Sequence, residues 1–194
     1  MKTIYVLLIL SSTFGAVSCK KDEPVSPTPQ QTQQQQIPNG SFENWSNQLP
    51  GNWTTNSFPA ACVTPYETYI VRQDTFAHDG QFAAKFIYNN TYAAWAHNGF
   101  SITSHSAQLS AYVRCMLVPT DSVLIRVKLF NNNTEVDNGE WYGTSSIANY
   151  TQIIIPVSQN ATMVDSASIY IEGGHRTNLT GNNTEFWVDD IELQ

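Results

Sequence analysis

Beyond residue 80 the chain alternates apolar and polar positions with a period of two, the pattern of strands that bury one face. Phe82, Ala84, Phe86 and Tyr88 open the series after the turn signal His78-Asp79-Gly80. Leu109, Ala111, Val113, Cys115 and Leu117 alternate with Ser110, Tyr112, Arg114 and Met116. Val123, Ile125, Val127 and Leu129 alternate with Leu124, Arg126, Lys128 and Phe130. Ile153, Ile155 and Val157 form another row, and Ala167, Ile169 and Ile171 alternate with Ser168, Tyr170 and Glu172. No stretch has a helical period, and Asn-Gly, Asp-Gly, Gly-Gly and Asn-Asn pairs punctuate the runs as turns. About nine short strands with one buried face predict an all-β fold, an antiparallel β-sandwich and most simply a jelly roll.

The last dozen residues organise this reading. Straight alternation over Thr184–Gln194 places Trp187, Asp189, Ile191 and Leu193 on one side, and Val188, Asp190 and Glu192 on the other. Asp189 thus enters a row expected to face the core, where a carboxylate must be paired, hydrogen-bonded or bound to a cation. The strand is expected to close the domain beside residues 37–45, which set Glu43 among large apolar residues.

The first segment does not belong to that fold. Lys2 is followed by an apolar run from Ile4 to Leu10, too short to span a bilayer comfortably, and small residues lead to Gly15-Ala16-Val17-Ser18-Cys19. This run resembles the lipobox of bacterial lipoproteins, with Ala16 where the usual leucine stands. The resemblance implies a signal peptide over 1–18 and lipidation of Cys19; a plain secretory signal is the alternative. Lys20-Lys21-Asp22-Glu23 resembles the charged tag that sends lipoproteins to the outer cell surface, which implies a lipid-anchored, surface-exposed protein of the outer membrane. Pro24 to Gln36 is proline- and glutamine-rich with almost no apolar content, so 19–36 reads as a lipidated tether.

Residues 37–194 suffice for one domain. They hold six Lys/Arg (Arg72, Lys85, Arg114, Arg126, Lys128, Arg176) against fourteen Asp/Glu, a balance that argues against nucleic acid and anionic surfaces as partners.

Asn39-Gly40-Ser41-Phe42-Glu43-Asn44-Trp45 with Leu49-Pro50-Gly51-Asn52-Trp53 resembles the opening of galactose-binding-like jelly rolls, which include many carbohydrate-binding modules. Ala77-His78-Asp79-Gly80-Gln81-Phe82-Ala83-Ala84, Leu109-Ser110-Ala111-Tyr112-Val113-Arg114 and the end from Phe186 to Leu193 resemble their middle and closing strands in order. The resemblance implies a structural calcium held by Glu43, Asp79 near its Gly80 turn, and Asp189, with Asp190 as an alternate. The other reading of Asp189 is a cap on backbone amides. Other glycan-capture proteins on the same surface are the neighbours such a module would have.

With Cys19 assigned to lipid, Cys62 and Cys115 form an even pair, read as a disulfide or, at Cys115, a buried thiol. His78, His97, His105 and His175 show no zinc spacing. Glu135-Val136-Asp137-Asn138-Gly139-Glu140 fits the Glu-x-Asp-x-x-Glu pattern of a jelly-roll glycoside hydrolase family. Asn138-Gly139, however, is a strong type I′ hairpin signal, which would place Glu135 and Glu140 on different strands and Val136 opposite Trp141. The remaining chemistry is a binding surface. Sugars stack on aromatic rings and offer hydroxyls to polar side chains, and the candidates are Trp95, Tyr112, Arg114, Arg126, Trp141 and Tyr170, against a plain solvated face. The function expected is non-catalytic glycan binding. A structural or adhesive protein with a protein partner is the rival, and a glycosidase built on Glu135 and Glu140 the third reading.

Overall fold

The alternating rows assemble as the pattern requires. The computed structural model describes residues 36–57, 70–88, 93–161, 163–174 and 184–194. Within them lie twelve strands: β1 (Trp45–Ser46), β2 (Leu49–Pro50), β3 (Thr54–Thr55), β4 (Val71–Asp74), β5 (Ala83–Tyr88), β6 (Ala94–Ser101), β7 (Gln108–Met116), β8 (Val123–Asn131), β9 (Thr134–Gly143), β10 (Ile147–Pro156), β11 (Ser166–Gly173) and β12 (Thr184–Leu193). Nine of the twelve have four residues or more, the number the alternation supports. They form two five-stranded antiparallel sheets, β10-β7-β12-β5-β4 and β3-β6-β11-β8-β9, with β1 and β2 as a separate short ladder. From β5 onward the chain repeatedly crosses between the two sheets, so the sandwich is stitched by long-range pairing.

The core is the space between the sheets. Leu109, Ala111, Val113 and Cys115 of β7 and Ile125, Val127 and Leu129 of β8 are wholly buried, in one cluster with Ile155, Ile169 and Ile171. Burying an aliphatic side chain of this size contributes about 1.5–3 kcal/mol. Phe86 and Phe186 pack at 5.9 Å between ring centroids in the same layer.

Three local features depart from straight counting. The first is in β12. Its register shifts between Asp189 and Glu192, and Asp190 adopts φ 45°. The extra residue of this bulge resets the alternation. Phe186 and Val188 therefore face the core and so do Ile191 and Leu193, whereas Trp187 and Asp189 lie on the outer side of the sheet. Trp187 and Ile191 thus do not share a row.

The second concerns position. β12 is central, paired with β7 on one side and β5 on the other, and does not form a ladder with residues 37–45. The two ends of the domain nevertheless meet: the Ile191 amide donates to the Gly40 carbonyl at 2.9 Å, and a Cβ on Gly40 would press on the Ile191 oxygen.

The third is the hairpin. The β8–β9 turn lies at Asn132-Asn133, φ 50° and 62°, the left-handed pair that a type I′ turn needs. Asn138-Gly139 sits inside β9, opposite Lys128 and Val127. Gly139 has a different reason to be glycine. There the edge of the second sheet meets β10, and a Cβ would collide with the Pro156 carbonyl oxygen. The Ser158 amide donates to the Asn138 carbonyl at 3.1 Å across the same seam.

Candidate functional site

The second sheet exposes an outer face whose side chains fall into register across four strands. One row reads Trp95 (β6), Glu172 (β11), Leu124 (β8) and Tyr142 (β9); the next reads His97, Tyr170, Arg126 and Glu140. Neighbouring strands lie roughly 4.8 Å apart, so these rows span roughly 14 Å. The Trp95 and Tyr170 rings stack at 6.3 Å with 26° between planes, and Tyr142 is 52% exposed at the far end of the row.

Polar groups on this face are held by one another. The Tyr170 hydroxyl donates to Glu172 at 3.1 Å, and burial, then Glu172, pushes this phenol up to about 12. The Tyr142 hydroxyl donates to Glu140 Oε2 at 3.1 Å, while Arg126 Nε donates to Glu140 Oε1 at 2.5 Å. One register step further, Lys128 Nζ donates to Glu135 Oε2 at 2.6 Å. A second bulge, between Leu129 and Phe130, turns Glu135 to this side. The face therefore has flat rings at both ends and a fixed set of donors and acceptors between them.

The predicted ligand residues divide among three places. Trp95, Arg126 and Tyr170 come together here. Trp141 does not: it pairs with Ile125, points inward, and stacks on Phe186 at 6.3 Å. Its expected position across from Val136 fails with the hairpin. Tyr112 and Arg114 belong to the opposite sheet and are covered. The His78 ring lies on Tyr112 at 3.4 Å between centroids, and Phe76 lies over the Arg114 guanidinium at 4.5 Å. Arg114 also covers Trp187 at 4.3 Å, with Lys85 at 4.5 Å. The segment from Phe76 to His78 thus straps the outer face of the first sheet, and its aromatic rings serve packing. His97 is not among the sequence candidates, and Tyr142 is weighed there only beside Trp141. Pairing β9 with β8 through the Asn132-Asn133 turn would have placed Tyr142 opposite Leu124.

The expected metal ligands do converge, on the loop from His78 to Phe82. Asp189 Oδ2 accepts the amides of His78 (2.8 Å) and Asp79 (3.4 Å), and Oδ1 accepts that of Asp190 (2.9 Å). Glu43 Oε1 accepts the amides of Gln81 (2.9 Å) and Phe82 (3.0 Å), under Gly80, whose φ is 68°. A Cβ at Gly80 would strike the Glu43 carboxylate. These contacts are those of amide-capping acids. Among the described residues no group of three or more His, Cys, Asp or Glu side chains is arranged to hold a metal ion. Burial pushes the Asp189 carboxyl up to about 6, against the pull of the His78 amide and with Asp190 adding to the rise.

Asp137, the middle acid of the hydrolase-like pattern, is fully buried on the inner side of β9. It accepts from His105 Nε2 (2.8 Å), Ser158 Oγ (2.9 Å) and the amides of Asn160 (2.9 Å) and Ala161 (3.0 Å). Burial opposes its charge, yet these four donors together hold it well below the usual carboxylate range. The three acids do lie on one continuous strand, but Asp137 faces away from Glu135 and Glu140. Lys128 holds the Glu135 carboxyl below its ordinary range, the opposite of what a catalytic acid needs.

Cys115 is a free buried thiol that reaches the Ser145 carbonyl at 3.4 Å, and burial pushes it up. The expected bridge is therefore not formed at Cys115; Cys62 lies outside the described residues, as does Cys19.

No family model matches this chain, and no curated protein matches it. Its fold is shared with solved structures. One concerns the promiscuous specificity of carbohydrate-binding modules from the β-sandwich superfamily, at 13% identity over 80% of this chain and 62% of that one, TM-score 0.51. Another is an arabinose-bound α-L-arabinofuranosidase, at 10% identity over 81% of this chain and 26% of that one, TM-score 0.51. A third is a cyclase from Fischerella sp. TAU, at 11% identity over 82% of this chain and 95% of that one, TM-score 0.50. The chain spans less than two thirds of the first two. At these identities the likeness establishes a β-sandwich used by carbohydrate-binding modules and by enzymes alike.

Proposed function

We propose that the domain binds a glycan, without cleaving it, on the outer face of its second sheet. The observation that carries this reading is the Trp95–Tyr170 stack placed in register with Tyr142, with Arg126, Glu140 and Glu172 between the rings. Pyranose rings are apolar on their faces and polar on their rims, so flat aromatic ends flanking fixed donors and acceptors suit a short run of sugars. The strapped outer face of the first sheet offers no comparable surface at Tyr112 or Arg114. A glycan array probed with the full chain in detergent tests the proposal. Binding to a defined group of glycans supports it. Binding to none, with capture of a protein partner, would favour the adhesive reading.

The protein that carries this face is proposed to be a lipoprotein anchored through Cys19 at the outer surface, on a tether ending at Gln36. Several acyl chains give stable anchoring, because each buried methylene contributes about 0.8 kcal/mol. A Cys19→Ser chain should leave the detergent phase; if it still partitions there, the anchor is elsewhere.

A further inference from the structure

We infer that the glycan taken by this face is neutral, and that uronic acid-bearing or sulfated glycans are excluded by carboxylates built into the site; this rests on the glycan-binding reading above. Among the described residues, the acidic and basic side chains of the face come from four strands: His97 on β6, Glu172 on β11, Arg126 and Lys128 on β8, and Glu135 and Glu140 on β9. Recognition of a carboxylate or sulfate calls for a cation with free donors, most effectively a bidentate guanidinium. Here both cations already face acids of the same sheet, Arg126 on Glu140 at 2.5 Å and Lys128 on Glu135 at 2.6 Å.

Partly exposed ion pairs contribute little stability, so an arriving anion could break either one. Breaking them does not help the anion, because Glu135 and Glu140 remain fixed to β9 beside it. Among the described residues the face carries, with Glu172, three carboxylates against two cations, and residues 37–194 as a whole hold fourteen acids against six Lys/Arg. Like charges brought together at a binding face oppose association and slow encounter. The same carboxylates are good acceptors for neutral sugar hydroxyls, so the arrangement that repels one class of glycan receives the other.

The test titrates the full chain in detergent, at pH 8 and at low and high salt, with neutral oligosaccharides and with uronic acid or sulfated oligosaccharides of equal length. The neutral series should bind with little salt dependence. The anionic series should bind more weakly by roughly tenfold or more, with the gap narrowing as salt screens the face. Glu135→Gln, which removes one carboxylate and releases Lys128, should narrow the gap at low salt. Anionic glycans that bind as tightly as neutral ones to the unaltered chain overturn this inference and leave glycan binding standing. Absence of binding by either series overturns both.

Discussion

Glu43 and Asp189, from opposite ends of the domain, hold the two ends of one loop: Asp189 accepts the amides of His78 and Asp79, and Glu43 those of Gln81 and Phe82. Charge-assisted bonds of this kind contribute about 1.5–3 kcal/mol each in favourable cases. Removing the Glu43 carboxylate by Glu43→Ala should lower stability by about 1–3 kcal/mol in urea denaturation. N–H donors already reach both acids, so if they act as amide caps alone, chelation leaves the melting temperature unchanged. A fall on chelation that calcium restores would instead assign a cation to this loop, since a ligand bound only by the folded state raises its stability.

The buried acids give the domain a pH dependence of two opposite signs. Asp189 is raised to about 6 in the folded state, so the unfolded chain ionises first as pH rises. Its contribution is complete below the ordinary carboxylate range and is lost as pH climbs through about 6. The midpoint of urea unfolding should therefore fall between pH 4.5 and 7, and Asp189→Asn should flatten that slope; an unchanged slope in the variant would contradict the assignment. Asp137, held well below its ordinary value, contributes fully above the usual carboxylate range and loses its contribution only in strong acid. Asp137→Ala leaves His105, Ser158 and two amides without their acceptor and should cost about 3–5 kcal/mol at any pH above 5. A loss below about 1 kcal/mol would show that these contacts are dispensable.

The sandwich was legible because burial on one face imposes a period of two that survives without knowledge of partners. Leu109 to Cys115, Val123 to Leu129 and Ala167 to Ile171 all point as that period requires. What the period could not reveal is where a residue is inserted. One extra residue at Asp190 moves Trp187 and Asp189 to the other face, and the bulge near Phe130 does the same for Glu135. Asn138-Gly139 misled for a related reason: glycine serves a tight turn and a crowded seam equally well, and only the neighbouring Pro156 carbonyl distinguishes them. The proposed ligand face was half legible. Outward rows place Arg126 and Tyr170 on the outer side of a sheet, as observed, but they could not distinguish an open sheet from one strapped by Phe76 and His78.

The continuous course of β9 leaves Glu135 and Glu140 on one solvent-facing surface, so the expectation of no turnover does not follow from a hairpin. It rests instead on their partners: Lys128 donates to Glu135 and Arg126 to Glu140, so both carboxylates are already engaged. The full chain should release no reducing sugar from the glycan that binds best. Release that disappears in the Glu135→Gln, Glu140→Gln double variant would make the protein a glycosidase.

The most direct measurement of the central claim is calorimetric titration of the full chain with its best glycan, comparing Trp95→Ala with Ile154→Ala. Trp95 belongs to the proposed platform, whereas Ile154 is 52% exposed on the other sheet. Loss of one stacking ring should weaken binding by about 1–3 kcal/mol, roughly fivefold to 150-fold in Kd. Ile154→Ala should leave Kd within about a factor of two, the range of a surface change that touches nothing. Equal effects of the two variants, or a loss confined to Ile154→Ala, would contradict the placement of the binding site on the second sheet.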